Sequence, residues 1–381
     1  MDTDVRLARL RAYLAVDPSN SDLACELADA LFALGRHDEA LSTLDSLPAE
    51  AAMSPGVRFR RMRLDLAGGR YGEAEALARA LLDDGVDTPT LRHDLAFALL
   101  CQRRADEAER ELVEAERRFG AQAASATLRA RVAMMLERGG DSVEYARQAV
   151  ALDPDDVSAQ GVLALALFDD SRFDEAGMVA ASALARDADQ HESLLVAGTL
   201  ALWRQDVDTA QNAFERGLSR HANSGRALSG LGQALMLRNR LDDARPVLEH
   251  AVRAMPDHIG TWHALAWTQL LSGRRDDAET SYRQAYALDR NFGDTHGGLA
   301  LIDALRGDYD NAEQGIKRAL RLDPNAVTAR YAQTLVLDAR GQHDASQTLM
   351  GELLRAGPST APIPVSEFAA RLKKTLDAKH A

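Results

Sequence analysis

Alanine returns along this chain at Ala40, Ala74, Ala108, Ala176, Ala210, Ala244, Ala278 and Ala312, every interval being 34 residues apart from one of 68. Ser142 sits midway in the long interval and Ser346 falls 34 residues past Ala312. Serine is the nearest small substitute for alanine, so the register runs through ten units. These occupy 21–54, 55–88, 89–122, 123–156, 157–190, 191–224, 225–258, 259–292, 293–326 and 327–360. No other feature constrains the fold as strongly. A chain with a fixed period of this length buries each unit's apolar surface against its neighbours and needs no central core. The length of 381 residues alone would suggest two or three globular domains, and the period overrules that expectation.

Within each period two phrases recur. One surrounds the marker alanine, as in Gly35-Arg36-His37-Asp38-Glu39-Ala40, Gly69-Arg70-Tyr71-Gly72-Glu73-Ala74 and Gly307-Asp308-Tyr309-Asp310-Asn311-Ala312. The other closes the unit, as in Ala149-Val150-Ala151-Leu152-Asp153-Pro154 and Ala319-Leu320-Arg321-Leu322-Asp323-Pro324. Between them each unit reads as two helices of three to four turns. In the eighth, Trp262, Leu265, Ala266 and Leu270 recur at spacings of three and four and draw one apolar stripe. Gly273-Arg274-Arg275 interrupts it. Asp276-Asp277 opens a second helix, where acidic side chains complement the amino-terminal dipole, and Ala278, Tyr282 and Ala285 form its stripe. Capping and dipole effects are taken to account for such acidic pairs, Asp242-Asp243 included. Small residues at 266 and 278 let the two helices approach closely.

This pattern resembles the tetratricopeptide repeat, whose consensus has apolar or aromatic residues at unit positions 4, 7, 11, 17 and 24, small ones at 8, 20 and 27, and proline at 32. The seventh unit matches throughout with Leu228, Leu231, Gly232, Leu235, Leu241, Ala244, Leu248, Ala251 and Pro256; the ninth departs at His296 and Asp303. The resemblance implies an all-α, right-handed superhelical solenoid of antiparallel helix pairs. It divides the chain into residues 1–20, a half-repeat or capping helix carrying Leu7, Leu10 and Leu14, the ten units over 21–360, and a linker and capping helix over 361–381. That last helix bears Phe368, Leu372 and Leu376 and is read as a solvating cap, with a partner-docking peptide as the alternative. Two units fit less well. In the second, Arg58, Arg61 and Asp65 fall on the nominal buried stripe with Phe59, Met62 and Leu66 beside it, which reads as a rotated helix. The fourth has Arg129 at a core position and Gly139-Gly140 before Ser142, marking 136–142 as a candidate joint, with a lengthened turn as the alternative.

In the family the first helix of each unit lines the concave surface at positions 2, 5, 9, 12 and 13. Carried over, the rule implies a partner-binding row that includes Phe59, Arg63, Phe97, Arg131, Leu195, Trp203, Arg226, His263, Trp267, Leu301 and Tyr331. Trp203, Trp267 and Tyr331 are the expected anchors, since buried aromatics dominate interface energies. About half of such a row is expected to be core, and Trp262, at position 4, is structural. The family's carboxylate clamp requires lysine at position 5, which here reads Cys25, Phe59, His93, Thr127, Gly161, Leu195, Ser229, His263, Gly297 and Tyr331. The clamp is absent, and binding of chaperone carboxy termini is not expected.

The formal net charge of -13, from 58 acidic and 45 basic side chains, repels phosphate backbones and anionic lipid. Nucleic acid is therefore not an expected partner. No apolar run approaches the roughly 20 residues that a spanning helix needs, and direct membrane insertion is not expected either. Cys25 and Cys101 are the only cysteines. They are read as small buried hydrophobes, with a disulfide or a reactive thiol as the alternative. Sequence signatures of metalloproteases, phosphate loops and dinucleotide sites are missing. His258 and His263, five apart, do not share a helical face as a metal pair would. The expectation is therefore a non-enzymatic adaptor without cofactor or metal, holding a peptide or helix of a protein partner in its groove. It is placed in the cytoplasm, or in the periplasm if a signal peptide was removed. The alternative is the interaction arm of a larger bacterial secretion, envelope-assembly or polysaccharide-export machine, or a fragment of a multidomain enzyme. An apolar groove left empty in water is a liability, so self-association is also entertained.

Overall fold

In the computed structural model, which describes residues 3–355, a leading helix α1 (Thr3–Val16) precedes ten helix pairs. The first five pairs are α2 (Ser21–Ala33) with α3 (His37–Asp45), then, after a short α4 (Ala49–Ala52), α5 (Pro55–Ala67) with α6 (Tyr71–Asp83), α7 (Pro89–Cys101) with α8 (Ala105–Phe119), α9 (Ala123–Met135) with α10 (Gly139–Leu152), and α11 (Val157–Asp169) with α12 (Phe173–Arg186). The others are α13 (His191–Trp203) with α14 (Val207–Arg220), α15 (Gly225–Leu237) with α16 (Leu241–Ala254), α17 (Ile259–Leu271) with α18 (Arg275–Leu288), α19 (Gly293–Arg306) with α20 (Tyr309–Leu322), and α21 (Val327–Ala339) with α22 (His343–Arg355). The described residues contain no strand. The helix expected over residues 366–379 lies outside them.

The turn inside each pair explains the regularity. The fifteenth residue of every unit adopts the left-handed conformation, from Gly35 (φ 71°) and Gly69 (φ 73°) to Gly307 (φ 83°) and Gly341 (φ 76°). Five of these positions hold Arg103, Glu137, Ser171, Gln205 and Asn239, with φ between 57° and 63°. The turn closes in the same way throughout: the amide of Gly35 donates to the carbonyl of Phe32 (2.9 Å) and that of Arg36 to Leu31 (3.0 Å), and Glu137 to Met134 (3.1 Å) and Arg138 to Ala133 (2.9 Å). This double bond pattern satisfies the last carbonyls of the first helix and stops it. The 136–138 connection thus has the same length and bonding as its counterparts.

The helices form two compact units, Met1–Val179 and Ala180–Ala381, dividing within α12. Inside each unit a second helix packs between the first helix of its own repeat and that of the next, most neighbouring first helices touch, and second helices make no comparable contact with one another. The row of first helices is therefore the inner side within each unit. The marker alanines are sealed where paired helices cross, Ala40, Ala74, Ala108, Ala176, Ala210, Ala244, Ala278 and Ala312 being fully buried, and Ser142 joins them. The Ser142 hydroxyl donates to the Gly139 carbonyl (2.7 Å), so the polar substitute is satisfied where it sits.

In the unit Met1–Val179, Leu7 and Leu10 of α1 close one end of a core that runs through Leu27, Leu31, Leu44 and Leu64. The helix α5 is not rotated, contrary to expectation. Met62 is fully buried, Val57 and Leu64 nearly so, and Arg58 and Asp65 remain on the buried stripe. Their charges are neutralised instead, Arg58 by Asp84 at 2.6 Å and Asp65 by Arg70 at 2.8 Å. Arg92 repeats the device one unit on with Asp87 and Glu111, both at 2.7 Å. Arg129 lies over the Tyr145 ring, 4.1 Å from its centre, and pairs with Glu116 at 2.6 Å.

In the unit Ala180–Ala381, glycines and aromatics are matched across repeats. A Cβ on Gly230 would come 2.3 Å from the Phe214 ring, and one on Gly298 would come 2.3 Å from the Tyr282 ring. Each aromatic fills the hollow that a missing side chain leaves in the next first helix. Gly297 allows a closer approach still, since a Cβ there would lie 2.6 Å from the Ala329 backbone nitrogen, and α19 and α21 pack tightly along their length.

The acidic pairs opening the second helices are not caps, as had been expected. No side chain caps α16 or α18. Asp243 pairs with Arg240 (2.8 Å) and Asp277 with Arg274 (2.6 Å), as Glu39, Glu107 and Glu175 pair with Arg36, Arg104 and Arg172. Arg104 also bridges back to Glu75 of the preceding repeat, as Arg138 does to Glu109, Arg238 to Asp208, Arg306 to Asp276 and Arg340 to Asp310. The guanidinium fork suits this two-way bridging better than an ammonium would.

Candidate binding face on the first helices

Four of the residues expected on the partner-binding row lie in the core. Leu301 is fully buried, Tyr331 is 1 % exposed, and Leu195 and His263 are buried beside them in the register. The close approach of α19 to α21 that Gly297 permits seals Leu301 and Tyr331 between the helices, so Tyr331 is no anchor for a ligand. His263 sits edge-on to Tyr282 and Phe292, its Nε2 2.8 Å from the Thr295 hydroxyl, and burial pushes its pKa down to about 4. His258 caps α17, its Nδ1 accepting from the Thr261 amide at 3.1 Å. In the same unit Trp203 is 42 % exposed, Arg226 is exposed, and Trp267 is part-buried against the core, as is Trp262, whose indole donates to the Pro256 carbonyl at 2.8 Å.

The unit Met1–Val179 brings the remaining four together on α5, α7 and α9. Phe59 and Phe97 are part-buried against the core formed with α6 and α8, Phe97 edge-on to Tyr71 at 6.4 Å. Arg63 is half-exposed, its guanidinium 5.6 Å from the centre of the Phe32 ring. Arg131 is part-buried and close enough to His93 and Cys101 to act on both electrostatically.

Between the two arginines lie His93 and Asp94, and Asp94 is the residue that sequence reasoning missed. It holds the sixth position of its unit, which from the fourth unit onward reads Leu128, Val162, Val196, Gly230, Ala264, Gly298 and Ala332. The first two units hold Glu26 and Arg60 at this position, so the carboxyl of Asp94 stands where the seven repeats that follow place core residues, and the change is visible in the sequence once the sixth positions are aligned. Its side chain is 15 % exposed and its Oδ2 has no hydrogen-bond partner, the nearest cation being the Arg63 Nε at 3.9 Å. Burial pushes its pKa up to about 6, against the opposing pull of Arg63. The buried Nδ1 of His93 also lacks a partner, and burial followed by the Arg131 charge holds this imidazole below its ordinary pKa. Two sequence-adjacent, desolvated side chains, each with one buried polar atom that lacks a hydrogen-bond partner, flanked by two arginines and two phenylalanines, are costly in a free protein. Such an arrangement can supply hydrogen bonds, charge and apolar contact to a ligand.

Among the described residues no cluster of three or more His, Cys, Asp or Glu side chains is placed to hold a metal, and no helix is long and apolar enough to cross a membrane. Both cysteines are free, Cys25 buried and Cys101 part-buried.

Three family models described as tetratricopeptide repeat match the sequence, over residues 223–291, over 7–58, and over both 127–191 and 263–327. Comparison with curated proteins gives no significant match. Among solved structures the chain is similar to a monomeric mutant of IFIT1 with Gppp-AAAA, at TM-score 0.57 and 16% identity, covering 98% of this chain and 95% of that one. It is also similar to the human IFIT1 dimer with m7Gppp-AAAA, at TM-score 0.55 and 17% identity, over 100% and 93%. A third match is the human IFIT1 dimer with PPP-AAAA, at TM-score 0.52 and 16% identity, over 98% and 95%. At these identities the likeness is one of fold.

Proposed function

Because the chain belongs to the tetratricopeptide repeat family, we propose that it is a cytoplasmic adaptor that holds a peptide segment of a protein partner against its first helices, chiefly α5, α7 and α9. One observation carries the reading: His93 and Asp94 hold buried polar atoms without partners on a face that also offers Phe59, Phe97, Arg63 and Arg131. At the position of Asp94 the seven later repeats place buried small or apolar residues, from Leu128 to Ala332. The RNAs named with IFIT1 make a poor match for this chain, since the net charge of -13 repels phosphate.

Site-specific photo-crosslinking tests the assignment. A crosslinking amino acid placed at Arg63 is compared with one at Arg110 on α8 and one at Met178 on α12, both well exposed. Adducts to a defined partner segment from position 63 and not from 110 or 178 are the expected result. Adducts that arise from the second helices alone would overturn it.

A further inference from the structure

We propose that the face formed by α5, α7 and α9 recognises its partner through an arginine or lysine side chain, which donates to Asp94 and rests its stem against Phe59 and Phe97. The proposal rests on the adaptor reading above and specifies what is held.

What the face lacks is a donor. The Asp94 Oδ2 is buried without one. The His93 Nδ1, on an imidazole kept neutral by burial, is able to accept. The protein's own nearest cation does not fill the gap: Arg63 stops at 3.9 Å from Asp94 and lies over the Phe32 ring. A guanidinium carries five N–H donors and an ammonium three, on an apolar stem. Such stems pack on aromatic surface while the charge stays with its carboxylate, and aromatic faces attract the cation itself. A carboxylate from the partner would meet Arg63 and Arg131 favourably, yet it would leave the Asp94 oxygen without a donor and set a like charge beside it. The α2 end of the same row adds exposed Asp22 and Glu26, and the whole chain carries -13, so a cation is drawn in from a distance.

The charged groups that act on the pair are Arg63 from α5, against Asp94, and Arg131 from α9, against His93. Both repel an incoming cation, which sets an unusual sign for the test. Removing Arg63 frees Asp94 for the ligand, so Arg63→Gln tightens binding, whereas Asp94→Asn weakens it. Acid titrates the acceptor: Asp94 takes up its proton near pH 6. Affinity then falls between pH 7 and pH 5, by up to about tenfold per unit.

The probe is a phage-displayed library of random octapeptides selected on the full chain, with the selected peptides measured by fluorescence anisotropy. Enrichment of arginine or lysine supports the proposal, together with about tenfold weaker binding to Asp94→Asn and severalfold tighter binding to Arg63→Gln. Arg63 is half-exposed, so its variant keeps the fold even if the Asp94 variant does not, and thermal unfolding checks both. Enrichment of aspartate or glutamate, or weaker binding to Arg63→Gln, overturns the proposal. Selected peptides that bind the first helices without charge preference and ignore Asp94→Asn overturn it while the adaptor reading stands. Failure to select any peptide above display background overturns both.

Discussion

At the scale of single residues, two buried titratable groups act on stability with opposite signs. Asp94 has its pKa raised from 3.8 to about 6. The folded state therefore binds this proton more tightly than the unfolded chain, and the associated stability is present at pH 4 and lost as pH rises through 6. A shift of two units corresponds to about 3 kcal/mol at most. Asp94→Leu is expected to raise stability at pH 7 by about 1–3 kcal/mol and to gain little at pH 4, as thermal unfolding at the two pH values will show. His263 runs the other way. Its folded pKa of about 4 lies below the ordinary 6.5, so the unfolded chain protonates first and stability is lost as pH falls from 6.5 towards 4. That loss is about 3 kcal/mol, and His263→Gln is expected to flatten the decline in melting temperature over the same range. The sequence exposed these residues unequally. His263 stood on the nominal binding row and proved to be core, because its neighbours Tyr282 and Phe292 close over it. Asp94 was overlooked because the fifth and ninth positions, not the sixth, line the groove in the family pattern.

At the scale of elements, the turn within each pair was legible as a recurring break, since glycine marks five of the ten left-handed positions. The other five, with Glu137 and Gln205 among them, force side chains into a conformation that glycine adopts freely. Glu137→Gly and Gln205→Gly are each expected to stabilise by up to about 1 kcal/mol, and Gly273→Ala to cost about as much, in equilibrium unfolding. Packing between elements was less legible. Arg58, Arg61 and Asp65 on the apolar stripe suggested a rotated α5, yet the helix keeps its register, because Asp84 and Arg70 neutralise the buried Arg58 and Asp65 while Arg61 reaches outward to Asp45. The pairing of Tyr282 with Gly298 across two repeats yields a sharper prediction. Gly298→Ala forces a Cβ into the phenol ring and is expected to cost about 1–3 kcal/mol. Adding Tyr282→Leu makes room and is expected to recover a large part of the loss, an interaction that a double-mutant cycle measures.

At the scale of the whole molecule, stability is a sum of local terms, because each repeat touches only its neighbours. Damage is therefore expected to stay near its source. Gly298→Ala should speed amide hydrogen exchange in α17 to α20 and leave α5 to α8 unchanged; uniform acceleration across both units would contradict this. The arginine ladder follows the same logic. Each exposed pair is worth little by itself, but Arg306 and Arg340 each bridge consecutive repeats. The ladder thus couples neighbours without creating a central core.

The period, the helix pairs and the buried row of marker alanines follow from the sequence alone, since close crossing of paired helices requires a small residue at the crossing and one recurs every 34 residues. Which side chains on the first helices stay open was decided by the tertiary structure. A residue at the fifth or ninth position is open or sealed according to how closely the next first helix approaches. That distance depends on glycines such as Gly297 and on the volume of residues a repeat away, as Phe214 and Tyr282 show. Register along one helix carries no such information, so Tyr331 looked like an anchor and is core, while Asp94, at a position outside the family's groove-lining set, was passed over.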